Sequence, residues 1–567
     1  MLLPAVCVLV VFPALVSPAP VIQLPLGRVQ GTDKLAQASQ KPYVAFYGIP
    51  FAEPPVNELR FKPPQPFVGT GADVVISSSK FRPACLQMFP NTSKVMDEDC
   101  LYLNVFTPPD VTKPRKVMVW IHGGAFVVGD ATQYVPSQLV TDKDVIVVTI
   151  QYRLGIFGFL NTQKGEANNG LRDQILALKW TKDNIHAFGG DATDITIFGQ
   201  SAGSASVSFL SLSPLTKGLF TKAIMQSGTI LSGWALNRNP SVLLSSVAGQ
   251  LGCTSLLRQT SSSETIDCIR NKTISELLSV DTQGESLIER LNTNNQFLPT
   301  IDGDVLPRSP ESLLANATYL RINGVLDRDY IVGFTNNEGL IIYSISGNPA
   351  AIDSLTQPAA AEEFIREASS LASPTAIDPS KLELLFYQYS YPRDAEGHTP
   401  IQNLLDITTD VMFGIATVNF ARALTAASNR TNVYLYLFDH YPQLISPEGP
   451  LRGSTHGLDL CYEFDIGEIT QLSRFYALPP QPSEKNLTEL ILTALSQFAK
   501  TGSPHGPSGQ EPRDWLPFDH EDEHFFRISL SPKSDEHVFA KRMALWTDLV
   551  LKSSSKVPSL LRALGMH

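Results

Sequence analysis

Ile195-Thr196-Ile197-Phe198-Gly199-Gln200-Ser201-Ala202-Gly203-Ser204-Ala205-Ser206 is the stretch on which the fold turns. Its first four residues are β-branched or aromatic, the composition of a strand buried on both faces. The small residues from Ala202 onward can begin a helix packed close against that strand. Ser201 then sits on a sharp strand-to-helix bend. Glycines two before and two after it suit the bend, because a Cβ at either place would collide with neighbouring backbone, and the bend lifts Oγ above the sheet edge as an exposed nucleophile. The N–H of Ala202 lies in the first turn of the helix, where unpaired amides carry partial positive charge toward a developing oxyanion. Alone the pentapeptide is also an ordinary glycine-flanked turn; the strand before it and the helix after it are the context that gives it chemistry.

Outward from this bend, residues 117–121 form an apolar strand that runs into His122-Gly123-Gly124-Ala125-Phe126. A glycine-rich loop after a central strand supplies a second oxyanion donor, because minimal side chains let backbone N–H groups approach the substrate closely. Residues 144–152 read as another apolar strand, 171–188 as a helix closed by Gly189-Gly190, and 222–225 and 330–334 as further strands. Helices are expected over 361–372, 381–387 and 408–427, and 433–438 is the last strong strand. Residues 21–68 alternate short apolar runs with Pro- and Gly-rich turns, the pattern of antiparallel strands at a sheet edge. This alternation predicts an α/β protein with a large, mostly parallel central sheet and helices on both faces.

A serine hydroxyl is a poor nucleophile at neutral pH. A histidine must take its proton, and an acid must hold that imidazole in the right tautomer and stabilise its cation. In this architecture the chain order is Ser, then Asp or Glu, then His, on loops after later strands. Glu338 follows the 330–334 strand, and His456 lies in the glycine-flanked loop Gly453-Ser454-Thr455-His456-Gly457 after the next one. His440, directly at a strand end, is the rival base, and Asp302 and Asp304 are the rival acids. Neither metal nor cofactor is required by such a reaction.

The chain has 567 residues, 43% of them hydrophobic, which permits a large core. The net charge of −11 and the lack of Lys/Arg clusters argue against nucleic acid or an anionic membrane as partner. Residues 1–19 are apolar without an acid and are expected to be a secretion signal, with 20–552 as one domain and 553–567 as a short tail. The final residues carry neither a KDEL-type retention signal nor a GPI-type tail, so the expectation is a secreted protein without a stable membrane anchor. Beyond Cys7, the cysteines fall as Cys85 with Cys100, Cys253 with Cys268, and Cys461 alone in an apolar run. Each pair would close a loop of about 15 residues, worth ~3 kcal/mol in the loop-entropy model. None has metal-site spacing. Sequons at Asn91, Asn271, Asn316, Asn429 and Asn486 agree with a glycosylated surface.

Glu98-Asp99-Cys100-Leu101-Tyr102-Leu103-Asn104-Val105 and Phe198-Gly199-Gln200-Ser201-Ala202-Gly203 are long motifs, and through them the chain resembles the type-B carboxylesterase and cholinesterase family of α/β-hydrolases over essentially all of its mature length. The resemblance implies a catalytic triad of Ser201, Glu338 and His456, and an oxyanion hole from the amides of Gly124, Ala125 and Ala202. It also implies disulfides Cys85–Cys100 and Cys253–Cys268, and salt bridges of Arg60 with Glu98 and of Arg153 with Asp173. The activity implied is hydrolysis of a small hydrophobic carboxylic ester through an acyl-enzyme.

Two departures bear on the substrate. The segment between Cys85 and Cys100 holds no Trp, and a quaternary ammonium needs such a π face, which argues against choline esters. Gln200 stands where most of the family has Glu. Glutamine there, with Arg60-Phe61, Asp173-Gln174, Glu338 and Gly453-x-x-His456-x-x-Asp459, is similar to juvenile hormone esterases of arthropods, although most of these marks are shared with general carboxylesterases, so a juvenile-hormone or methyl-farnesoate type of ester is the narrower alternative to broad turnover. Relatives that keep the fold for adhesion or binding alone need no serine at the bend.

Overall fold

The computed structural model describes residues 20–551, apart from 70, 72–73, 78, 88–94, 163–165, 255–261, 281–295, 347–348, 374–376, 391–398, 442–452, 466–479 and 508–510. The expected secretion signal, the tail and Asn91 lie outside the described residues.

In chain order the strands are β1 (Val21–Leu24), β2 (Gly27–Gln30), β3 (Thr32–Leu35), β4 (Pro42–Pro50), β5 (Ala84–Cys85), β6 (Met96–Asp97), β7 (Tyr102–Thr107) and β8 (Arg115–Ile121). They continue as β9 (Ile146–Ile150), β10 (Gly190–Gln200), β11 (Lys222–Gln226), β12 (Asp329–Thr335), β13 (Val433–Phe438), β14 (His524–Ile528) and β15 (Lys533–Glu536). The main sheet has 11 strands in the order β15-β14-β13-β12-β11-β10-β8-β9-β7-β4-β3. From β9 through β14 every neighbouring pair is parallel, while β3, β4, β7 and β15 join antiparallel at the two edges.

The central strands read as near-continuous apolar runs because both faces are covered. Ile197, Met225, Val332 and Leu435 point into one core layer, and Phe198, Ile224, Ile331 and Tyr434 into the other. Their alternation in sequence is the period of two that a pleated strand imposes. Helices Asn169–Asn184 and Ala202–Leu212 lie against the first layer, and Lys485–Thr501 covers the second.

Several elements differ in extent from the sequence reading. The helix expected from 408 begins at Pro400, where a proline at the first turn is preorganised, and it passes through a π-helical turn at Asp410–Gly414. The 171–188 helix is α-helical over Asn169–Asn184 and finishes as a 3₁₀ turn, capped by Gly189 at φ 82°. Strands β14 and β15 follow β13 and escaped the sequence reading, because His524-Phe525-Phe526-Arg527-Ile528 mixes charge with aromatics and lies at the sheet edge. Segment Pro400–Ala427 is long and apolar enough to cross a bilayer by composition, yet its most apolar stretch is almost wholly buried inside the protein.

Both disulfides form as the spacing suggests, Cys85–Cys100 and Cys253–Cys268, while Cys461 is buried and outside both bridges. Arg60 makes a two-pronged ion pair with Glu98, at 2.6 and 2.5 Å. Arg153 does the same with the fully buried Asp173, at 2.8 and 2.7 Å.

Candidate active site

The site lies where strand order reverses. From β8 the chain crosses to β9 on one side and later to β10 on the other, leaving a crevice at the carboxyl ends of β8 and β10, the usual ligand position in an open parallel sheet. Register completes the placement. Gly199 pairs with Ile121, so the Ser201 bend and the His122–Phe126 loop leave the sheet side by side.

The glycines of the bend are there for space. A Cβ on Gly203 would lie 2.0 Å from the Ile121 carbonyl oxygen, and one on Gly199 would lie 2.6 Å from the same atom. Gly123 abuts the bend from the other side, where its Cβ would meet the Gln200 carbonyl at 2.6 Å. Ser201 itself holds φ 59°, ψ −125°, a conformation that L residues rarely adopt. Its amide donates to the Gln226 carbonyl at 2.8 Å, which ties the strained residue to β11. Ala202 opens helix Ala202–Leu212, so its N–H has no intrahelical acceptor. In the glycine loop Gly124, Ala125 and Phe126 take φ of 115°, 54° and 62°. The Gly124 carbonyl accepts from Val127 and Val128, while the amides of Gly124 and Ala125 donate to no backbone oxygen among the described residues.

Glu338 and His456 meet, although 118 residues separate them. Nδ1 of the imidazole donates to Glu338 Oε2 at 2.5 Å. The other carboxylate oxygen accepts from the Thr335 amide at 2.7 Å and from the Ser227 hydroxyl at 2.5 Å. Glu338 is completely buried and His456 nearly so. The loops that carry them are laced together. The Asn337 amide donates to the Ser454 carbonyl at 3.0 Å, and the Ser454 amide donates to Asn336 Oδ1 at 2.6 Å. Gly339 lets the acid turn seat on helix Pro400–Thr409, since a Cβ there would lie 2.1 Å from the Leu405 carbonyl.

With Nδ1 protonated, Nε2 of His456 presents its lone pair, and Gln200 Nε2 donates to it at 3.0 Å. Among the described residues Ser201 Oγ makes no hydrogen bond. Phe413, on the π-helical turn, packs its ring 4.7 Å from that of His456, and Trp234 fixes the same turn by donating from Nε1 to the Met412 carbonyl at 2.8 Å.

The rival residues are engaged elsewhere. His440 Nε2 pairs with Glu484 at 2.7 Å. Asp302 and Asp304 both bind Arg172, at 3.2 and 2.8 Å. Sequence reading gave no role to Ser227, Gln226, Tyr436 or Phe413. The first two were detectable in principle, because Gln226-Ser227 are polar residues at the end of an otherwise apolar strand. Cys461 is inert, its thiol pushed up to about 12 by burial and nearby carboxyls. Of the sequons, Asn271, Asn316, Asn429 and Asn486 are exposed.

A profile described as "Carboxylesterase family" matches residues 18–546 of this chain. Carboxylesterase 1D of Rattus norvegicus is 34% identical over 96% of this chain and 95% of its own length. Liver carboxylesterase 1 of Oryctolagus cuniculus is 33% identical, covering 95% of each chain. Liver carboxylesterase of Sus scrofa is 32% identical over 95% of this chain and 94% of its own.

Proposed function

Because this chain belongs to the carboxylesterase family, we propose that it is a secreted, glycosylated serine carboxylesterase that hydrolyses small hydrophobic esters through an acyl-enzyme. The observation that carries the proposal is the Glu338–His456 contact at the sheet edge where Ser201 occupies its strained bend. Carboxylic ester hydrolysis is the activity of the named relatives.

In the proposed reaction the imidazole turns its Nε2 lone pair from the Gln200 amide to the Ser201 hydroxyl and removes its proton as Oγ attacks the ester carbonyl. The amides of Gly124, Ala125 and Ala202 receive the negative charge that develops on the carbonyl oxygen. The proton passes from Nε2 to the departing alcohol, leaving an acyl-Ser201 ester. Water then attacks that ester, with His456 again as base, and the acid leaves. Glu338 stays ionised and stabilises the imidazolium. Such a cycle requires no metal or cofactor.

The test is turnover of a chromogenic ester together with organophosphate labelling. Loss of activity in step with one phosphoryl adduct on the Ser201 peptide supports the mechanism; full activity after complete labelling rules it out. Gln200 favours a second, narrower reading for the substrate. It touches the imidazole directly, and it is the residue that makes this chain similar to juvenile hormone esterases. Kinetics over an acyl-length series with a terpenoid methyl ester and a choline ester separates the two.

A further inference from the structure

Behind the Glu338–His456 contact lie two more buried carboxyls. Gln200, Gln226, Gly333 and Tyr436 form one row across β10, β11, β12 and β13, in register. Gly333 leaves room for the Tyr436 ring, which a Cβ would meet at 2.1 Å. From that row Gln226 Nε2 donates to Glu463 Oε1 at 2.5 Å and more weakly to Asp459 Oδ2 at 3.4 Å, and the Tyr436 hydroxyl donates to Asp459 Oδ2 at 3.1 Å. Both carboxyls therefore gather on one amide nitrogen. They are 2% and 1% exposed, and neither forms an ion pair with Lys or Arg among the described residues.

Donors and acceptors do not balance there. Asp459 Oδ1, Glu463 Oε2 and Gln226 Oε1 are three buried acceptors with no donor among the described residues, and their side chains line one cavity of about 20 Å³ together with Tyr436. A water fits that volume and brings two donors. A carboxyl proton converts one of the three oxygens from acceptor to donor, whereas two carboxylates together in a dry wall would repel each other.

We propose that Asp459 and Glu463 hold one proton between them at neutral pH, so that the wall behind His456 carries one negative charge rather than two. Titration energetics point the same way. Burial, with Glu338 nearby, raises the Asp459 carboxyl to about 6, and burial with Asp459 beside it raises Glu463 well above the carboxylate range. The groups facing the pair are Glu338, the His456 ring, the Tyr436 phenol and the Cys461 thiol. A second full negative charge would favour imidazolium and so withhold the base. The pair is thus a positioning element, acting on the base through the field rather than on the substrate. This consequence rests on the esterase reading; the shared proton does not.

Infrared difference spectroscopy of the full chain tests it. Wild type minus the double variant Asp459→Asn/Glu463→Gln is expected to show one protonated-carboxyl band and one carboxylate at pH 7; two carboxylates, or two acids, overturn the proposal. If the double variant does not fold, raising wild type to alkaline pH should convert one acid band to carboxylate, and no such conversion overturns it equally. In kinetics, the acid limb of kcat/KM should fall by roughly half a pH unit in the double variant, since a negative charge near the imidazolium is gone. An unmoved limb overturns the coupling to His456. The acid band without ester turnover sinks the esterase reading alone, and turnover without the band sinks the shared proton alone.

Discussion

Gln200 Nε2 lies 3.0 Å from Nε2 of His456, the nitrogen that must accept the Ser201 proton in the proposed reaction. The resting imidazole is therefore held by the residue next to Ser201, and the proposed catalysis includes an exchange of hydrogen-bond partners at that nitrogen. Apo geometries of this kind tighten when substrate arrives.

Replacing this amide by a carboxylate changes the field without changing the shape. In Gln200→Glu a negative charge near Nε2 favours imidazolium and raises its pKa, so the base is lost at higher pH than in wild type. The acid limb of kcat/KM should move up by about one unit. A full pH profile on a chromogenic ester measures this, and a downward shift contradicts the contact.

Ser201→Ala should lower kcat by on the order of 10⁴- to 10⁶-fold, and Glu338→Gln by on the order of 10⁴-fold, with thermal denaturation nearly unchanged for the first. His440→Ala and Asp304→Asn should retain turnover within tenfold, because these residues bind Glu484 and Arg172 instead. Ser227→Ala removes one donor to a buried carboxylate and should cost about ten- to a hundredfold in kcat/KM. Steady-state kinetics on the five variants checks the assignment, which fails if Asp304→Asn is the crippled one.

Gly203→Ala places a Cβ 2.0 Å from the carbonyl of Ile121, the last residue of β8, whose place is fixed by pairing with β9 and β10 on both sides. We expect a stability loss of at least about 3 kcal/mol and little soluble protein. Expression yield and denaturant unfolding read this out.

Arg542 holds the π-helical turn from behind. Its guanidinium pairs with Asp406 at 2.5 Å and with the fully buried Asp410 at 3.0 Å, and Asp410 also accepts from the Tyr389 hydroxyl at 2.6 Å. Removing the cation leaves a buried carboxyl unpaired. Arg542→Met should destabilise the protein by about 3–5 kcal/mol. Because Phe413 rides on the same turn against His456, kcat should fall in the fraction that remains folded. Thermal inactivation and kinetics at low temperature separate the two effects.

How much of this could be read from the chain alone depended on distance. The strands around Ser201 and the glycine loop were legible because each is a local pattern: an apolar run, then a glycine turn. Glu338 and His456 were legible through their position after strands, although the sequence left His440 and the two aspartates as rivals. What sets those rivals apart is the company they keep, Glu484 and Arg172, and no local pattern announces a partner tens of residues away. The same holds for Gln226 and Tyr436, ordinary residues whose roles come from register across four strands. The π-helical turn was illegible because a helix with one extra residue per turn keeps the same apolar composition.

The lacing between the acid turn after β12 and the base loop after β13, through Asn336, Asn337 and Ser454, has a practical corollary. The two segments form a single cassette, whereas Ser201 follows a separate strand, β10, with its own anchorage. Anyone transplanting this chemistry into a foreign scaffold should carry both loops as one graft, because either alone would arrive without the stitching that aims it.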